Sequence, residues 1–150
     1  MEKIYPNELV VDQSEYPSKS DFEVVKGEGN VGRGVISKKE FQPGDLVARI
    51  TGKYSPIPLQ HTLQTGPSDH LYDPWFSGLF LHSCDPNISV DMEMLTVTAL
   101  KPIKNGDYIL MDYQETEEVL FKEFNCECGS SKCRGWITGK VPRSAYDEQS

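Results

Sequence analysis

Four cysteines are the residues of this chain with the most chemistry to offer, and they divide three to one. Cys126, Cys128 and Cys133 fall together in Cys126-Glu127-Cys128-Gly129-Ser130-Ser131-Lys132-Cys133-Arg134-Gly135. Cys84 lies far upstream in Leu81-His82-Ser83-Cys84-Asp85-Pro86-Asn87. Three clustered thiolates and one distant one complete an all-cysteine tetrahedral zinc site. Two disulfides or four free thiols are the other uses of the same four residues. The metal-type spacing favours zinc, and with no secretory pattern at the N-terminus it points to a reducing compartment, cytoplasm or nucleus. A zinc ion there would clamp the C-terminal segment onto the turn that carries Cys84.

The elements that must hold such a clamp read as short. Ten prolines and twelve glycines in 150 residues argue for many turns, few helices and one domain large enough to bury a core. A net charge of −8 disfavours direct nucleic-acid binding and suits a basic peptide or protein partner. No run of 18 apolar residues announces a membrane span.

Residues 1–21 read as a polar lead-in with one apolar pair, Val10-Val11. Strands are expected at Phe22 to Val25, Leu46 to Ile50, Met94 to Leu100 and Tyr108 to Met111. A glycine-rich stretch from Gly27 to Gly34 feeds Val35-Ile36. Phe41-Gln42-Pro43-Gly44-Asp45 and Ile103-Lys104-Asn105-Gly106-Asp107 echo one another, each a turn launching a strand, with Asn-Gly a hairpin signal. Residues 55–77, with four prolines and two histidines, are expected to be irregular with one short helix. Glu115 to Lys122 is expected to give a helical turn or two, and 140–150 a tail. The whole is mostly β without βαβ alternation.

Four segments, in order, carry a family resemblance: Gly32-Arg33-Gly34-Val35; His82-Ser83-Cys84-Asp85-Pro86-Asn87; Gly106-Asp107-Tyr108-Ile109-Leu110-Met111-Asp112-Tyr113; and Cys126-Glu127-Cys128-Gly129 through Cys133-Arg134-Gly135. Together they resemble the SET-domain protein-lysine methyltransferases with their post-SET zinc motif, over roughly residues 22–139. The resemblance implies a β-clip type fold of small curved sheets around a knot-like crossing, with SET domain 22–122 and post-SET segment 123–139. It implies methyl transfer from S-adenosylmethionine to a lysine of a histone-like or other lysine-rich protein. It also implies one structural zinc on Cys84, Cys126, Cys128 and Cys133. By the same match Tyr113 orients the amine. Gly32, Arg33, Gly34, Leu81, His82 (through its main chain), Tyr113, Phe124 and Trp136 border the cofactor, Phe121 shares that aromatic wall, and Tyr54 falls near the substrate cleft or in the core.

The chain departs from the family pattern at Leu81, where an asparagine is usual, and at Leu79, where an arginine is common. Both usual residues hold the polar end of the cofactor. A non-catalytic SET-like binding module is therefore the alternative reading. Met111 replaces the Phe or Tyr often found two residues before the tyrosine, which implies tolerance of more than one methyl. The substrate-facing insert is compressed into residues 55–77.

Overall fold

A computed structural model describes residues 3–9, 15–27 and 33–144. Val10-Val11, Gly32, most of the glycine-rich stretch and the tail beyond residue 144 lie outside the described residues. The elements are short strands: β1 Phe22–Lys26, β2 Arg33–Ser37, β3 Leu46–Arg49, β4 Lys53–Ser55, β5 Thr62–Gly66, β6 Asp69–Tyr72, β7 Leu81–His82, β8 Ile88–Asp91, β9 Thr96–Ala99, β10 Leu110–Met111, β11 Phe124–Asn125 and β12 Trp136–Ile137. Single 3-10 turns occur at Asn7–Leu9, Ser77–Leu79 and Tyr113–Glu115. The strands form five small sheets, ordered β1-β2, β10-β7, β11-β12, β3-β9-β8 and β4-β6-β5. The mostly β expectation holds, and no helix among the described residues is long and apolar enough to cross a membrane.

The β10-β7 pair shapes the centre. It is parallel, with Leu110 opposite Leu81 and Met111 opposite His82. Parallel neighbours need a long crossover, and here the crossover is the β8-β9 hairpin. Asn87 locks the crossing. Its side-chain amide donates to Tyr108 O at 2.8 Å, its Oδ1 accepts from Leu110 N at 2.8 Å, and its own N–H donates to Leu110 O at 3.1 Å. One asparagine thus satisfies backbone groups that a two-residue strand leaves unpaired.

The echoed turns are one device used twice. Gly44 and Gly106 both adopt positive φ, at 92° and 96°, which glycine reaches without the Cβ penalty. Asp45 accepts from Gln42 N at 2.8 Å, and Asp107 accepts from Lys104 N at 2.9 Å. Phe41 and Ile103, just ahead of the two turns, exchange both backbone hydrogen bonds at 2.9 Å. The Asn-Gly turn does not make a hairpin. The chain leaves it to bridge Ile36 through Tyr108, and β9 pairs instead with β3 and β8.

Two sequence expectations are corrected. Residues 55–77 are not irregular: β5 and β6 form a hairpin closed by Gly66 opposite Asp69, and β4 adds a third strand. Its polar composition hid it, because only Leu63 and Leu71 of the hairpin's apolar residues reach the core. Glu115 to Lys122 yields no helix beyond the turn at Tyr113 and one further bond, Glu117 N to Tyr113 O. It stops because the carbonyls of Glu117 and Glu118 accept from Lys140 N and Val141 N, so the start of the expected tail is docked.

The main core gathers Phe22, Phe41, Phe76, Phe80, Val35, Ile88, Ile103 and Ile109, and Tyr5 of the lead-in is part of it. A satellite cluster of Cys84, Leu120 and Ile137 underlies the C-terminal segment, and Tyr113 packs against both clusters. Tyr5 enters for a polar reason. Its hydroxyl donates to Asp73 Oδ2 at 2.6 Å, on a fully buried carboxylate that also accepts from Trp75 N, Phe76 N, Ser77 N and the Ser77 hydroxyl. Burial pushes the Asp73 pKa up and these hydrogen bonds pull it back. The Asp-Pro-Trp-Phe-Ser run is an aspartate-capped turn whose ligand set is completed from 68 residues away.

Candidate active site

The parallel pair brings the sequence-selected residues together. Leu81 and His82 form β7, β10 runs beside them, and Tyr113 comes one residue after β10, beyond Asp112. The Tyr113 backbone N–H donates to His82 Nδ1 at 3.1 Å. Its hydroxyl donates to the Phe80 carbonyl at 2.5 Å. His82, Tyr113 and Phe124 make a triangle of rings with centroids 5.1, 5.6 and 5.9 Å apart, two of the three contacts edge-to-face. Burial, with the Glu117 carboxylate adding to it, raises the Tyr113 pKa well above the ordinary tyrosine value. The phenol therefore stays protonated. Because that proton is held by Phe80 O, the outward face of the oxygen offers lone pairs only.

The His82 ring is held toward its neutral form. Burial lowers its pKa to about 4, with the Arg134 charge assisting and Asp112 opposing. The aromatic triangle therefore presents no cation.

Gly34 lies on β2, buried beneath the same region. A Cβ there would stand 3.1 Å from Leu81 Cγ and Cδ1 and from Tyr108 Cε1. The close approach that this glycine permits is made by the chain's own Leu81 and Tyr108. Arg33 is exposed at the start of β2, opposite Lys26. Gly32 is not among the described residues. Trp136 pairs across β11-β12 with Asn125, next to Phe124. Its ring is exposed, with the indole N–H on Glu123 at 3.4 Å. Phe121 is exposed too, and Tyr54, on the edge strand β4, is 63% exposed, so it is not core. Leu79 and Met111 are both buried in the main core.

The four cysteines converge. Cys84, Cys126, Cys128 and Cys133 are free, and their sulfurs all lie within 4.8 Å of one another. Thiolates at about 2.3 Å from a tetrahedral zinc stand about 3.8 Å apart, so the donor set and its size fit that ion. Around it the β11-β12 pair, Cys126 N to Gly135 O and Cys133 N to Ser130 O shape the loop. Lys101 and Lys132 both reach Asp85, next to Cys84. Arg134 makes a two-pronged bond to Asp112, at 2.9 and 2.7 Å.

Sequence reasoning missed three residues that hold this site. Asp73 fixes the turn leading to Phe80. Arg134 ties the cysteine loop to Asp112. Glu117, buried, accepts from Gln64 N at 2.8 Å and from the Thr116 hydroxyl at 2.7 Å, joining the β4-β6-β5 sheet to the segment after Tyr113. Asp73-Pro74 carried a turn signal; the other two are long-range pairings with no local mark.

The SET domain family model matches residues 32–114. The chain belongs to the SET domain family. It is 31% identical over 129 residues to a protein of Aspergillus flavus named methyltransferase flvH, covering 83% of this chain and 71% of that one. Among solved structures, KRYPTONITE in complex with mCHG DNA and SAH superposes with a TM-score of 0.63 at 20% identity, over 77% of this chain and 28% of that chain. KRYPTONITE with mCHH DNA, the H3(1–15) peptide and SAH gives 0.59 at 20%, over 77% and 29%. This SET domain thus spans under a third of the KRYPTONITE chains, and the likeness shows a shared fold.

Proposed function

We propose that this SET domain transfers the methyl group of S-adenosylmethionine to the ε-amine of a lysine in a basic protein or peptide. The observation that carries the reading is Tyr113. Its hydroxyl proton is committed to Phe80 O at 2.5 Å, so its oxygen can accept only from an incoming N–H. An acceptor of that kind turns a neutral lysine amine so that its lone pair faces away from the tyrosine, toward an in-line methyl donor. S-adenosylmethionine supplies that methyl on a sulfonium, which makes it electrophilic. Phe124 and His82 flank Tyr113 with low-polarity surface, which favours the uncharged amine over the ammonium. Trp136 and Phe121 are exposed aromatics of the same C-terminal segment, available to a methylammonium for cation–π contact. The −8 charge suits a lysine-rich partner of the histone-tail kind. Cys84, Cys126, Cys128 and Cys133 would hold one structural zinc, in a compartment reducing enough to keep the thiols free.

Relatives support the class. One carries the name methyltransferase, and KRYPTONITE was solved with SAH and, in one case, an H3 peptide. The test is Tyr113→Phe, assayed by labelled methyl transfer to lysine-rich protein alongside calorimetric binding of S-adenosylmethionine. The expected result is cofactor binding intact and transfer reduced by about 100-fold or more, the range for a lost positioning contact. Unchanged turnover refutes the role of Tyr113. Absence of cofactor binding by the wild-type protein refutes the activity and leaves the binding-module reading.

A further inference from the structure

The cysteine cluster and Tyr113 are joined through one sulfur. Cys84 Sγ has His82 Nε2 at 3.4 Å and the Arg134 backbone N–H at 3.4 Å. Each of these neighbours reaches back to the segment after β10. Arg134 holds both oxygens of Asp112, and His82 Nδ1 accepts from the backbone N–H of Tyr113. Two arms therefore run from a single metal-ligand sulfur to two consecutive residues, the second of them Tyr113.

The tautomer of His82 follows from its partners. A backbone N–H can only donate, so Nδ1 carries no proton; a neutral imidazole with an accepting Nδ1 holds its proton on Nε2. That proton faces the sulfur. A thiolate bound to a metal keeps lone pairs for such donors, and a histidine or amide donor beside a ligand sets its orientation. Asp112 does not compete for the ring. Its Oδ1 lies 3.9 Å from Nδ1 and is already taken by Arg134 and Gln114 N. The His82 side chain is only 2% exposed, so water does not substitute for either contact.

We infer that the His82 side chain is a positioning residue, a rigid spacer that sets Tyr113 from the metal-bound sulfur of Cys84. The inference rests on the zinc reading above and goes beyond it. Occupancy of the cysteine cluster sets where the Tyr113 main chain lies, and with it the phenol aimed at Phe80 O. Loss of the ion frees the sulfur, then the ring, then the tyrosine.

The test uses the zinc-loaded protein labelled with ¹⁵N and needs no substrate. Long-range ¹H–¹⁵N correlation assigns the tautomer of each of the three histidines. His82 is expected as the Nε2–H form, and the Tyr113 amide is expected to shift when a chelator removes zinc. Two substitutions then separate the arms. His82→Asn keeps an acceptor where Nδ1 stands and lacks the sulfur contact. It should weaken zinc about 10–100-fold in chelator competition while leaving the Tyr113 amide near its original position. His82→Gln reaches the sulfur and should do the reverse. An Nδ1–H tautomer in the wild-type protein overturns the inference. So does a Tyr113 amide unmoved by zinc removal, or identical behaviour of the two variants. Should the variants fail to fold, the wild-type tautomer and the chelation shift decide alone. A protein that takes up no zinc at all refutes the zinc reading itself, a distinguishable result.

Discussion

Replacing Asp73 by Asn should destabilise the protein by about 3 kcal/mol, although the substitution is nearly isosteric and removes a buried charge. The geometry explains why. Oδ1 accepts from Trp75 N at 3.1 Å and Phe76 N at 3.0 Å; Oδ2 accepts from Ser77 N at 2.9 Å, Tyr5 Oη at 2.6 Å and the Ser77 hydroxyl. Placing the amide NH2 at Oδ1 would set it against two backbone N–H groups. At Oδ2 it faces one, because the two hydroxyls rotate and accept. The second arrangement wins. It leaves Ser77 N–H unsatisfied, a penalty of about 1–3 kcal/mol, and exchanges charged acceptors for neutral ones at roughly 0.5–1 kcal/mol for each surviving bond. Tyr5→Phe removes one donor and leaves four on the carboxylate, so about 1 kcal/mol is expected. Urea unfolding monitored by tryptophan fluorescence, at matched slopes, measures both changes. The reasoning fails if Asp73→Asn lies within about 1 kcal/mol of the native protein, or if Tyr5→Phe is as damaging.

Glu117→Gln is the contrasting case. Oε2 alone accepts from both Gln64 N and Thr116, so an amide oxygen serves there equally well. Burial raises the Glu117 pKa. A raised folded-state pKa means a contribution complete below the unfolded pKa and lost as pH climbs through the folded value. The Gln variant should therefore match the native protein near about pH 4 and exceed it at about pH 7, read by thermal unfolding; a gap that narrows with rising pH contradicts this. Gly34→Ala places a Cβ 3.1 Å from Leu81 and Tyr108, so about 1–3 kcal/mol of overpacking is expected. Adding Leu81→Ala should recover part of that loss in a double-mutant cycle, and strict additivity would show that the two residues do not meet. Leu81→Asn should tighten S-adenosylmethionine binding about tenfold, the worth of one hydrogen bond to a charged group; calorimetry giving equal or weaker affinity refutes that assignment.

What could be read from the sequence is what local chemistry carries. Gly44 and Gly106 announce their turns because only glycine reaches those φ values cheaply, and Asp45 and Asp107 close the same turns from within three residues. Cys126, Cys128 and Cys133 announce a metal loop by spacing. The motif set led to the family and singled out both Tyr113 and His82, while the bond between them was visible only in the structure. Residues 55–77 stayed opaque because β5 and β6 are held by Gln64 and by a carboxylate beyond Tyr113, with few apolar side chains to set a period of two. Tyr5, in a polar lead-in, gives no sign that it will be buried. Its partner is 68 residues away, and hydrogen bonding across that distance leaves no periodic trace.

The same division explains how this SET domain keeps one tyrosine in place. Tyr113 follows a two-residue strand and begins a single 3-10 turn, too little regular structure to fix a ring. It is fixed by three contacts that converge from separate parts of the chain. Phe80 O takes its hydroxyl, and Phe80 is set by the Asp73 turn and hence by Tyr5 of the lead-in. His82 takes its amide, and His82 faces the cysteine cluster. Glu117, whose backbone N–H donates to Tyr113 O, ties it to the β4-β6-β5 sheet by accepting from Gln64 N. Each anchor is polar and directional, and the ring also packs against both hydrophobic clusters. Removing the His82 or the Glu117 anchor should therefore degrade the position of the tyrosine before it unfolds the domain, whereas the Asp73 anchor also holds Tyr5 and Phe76 of the main core and costs stability as well.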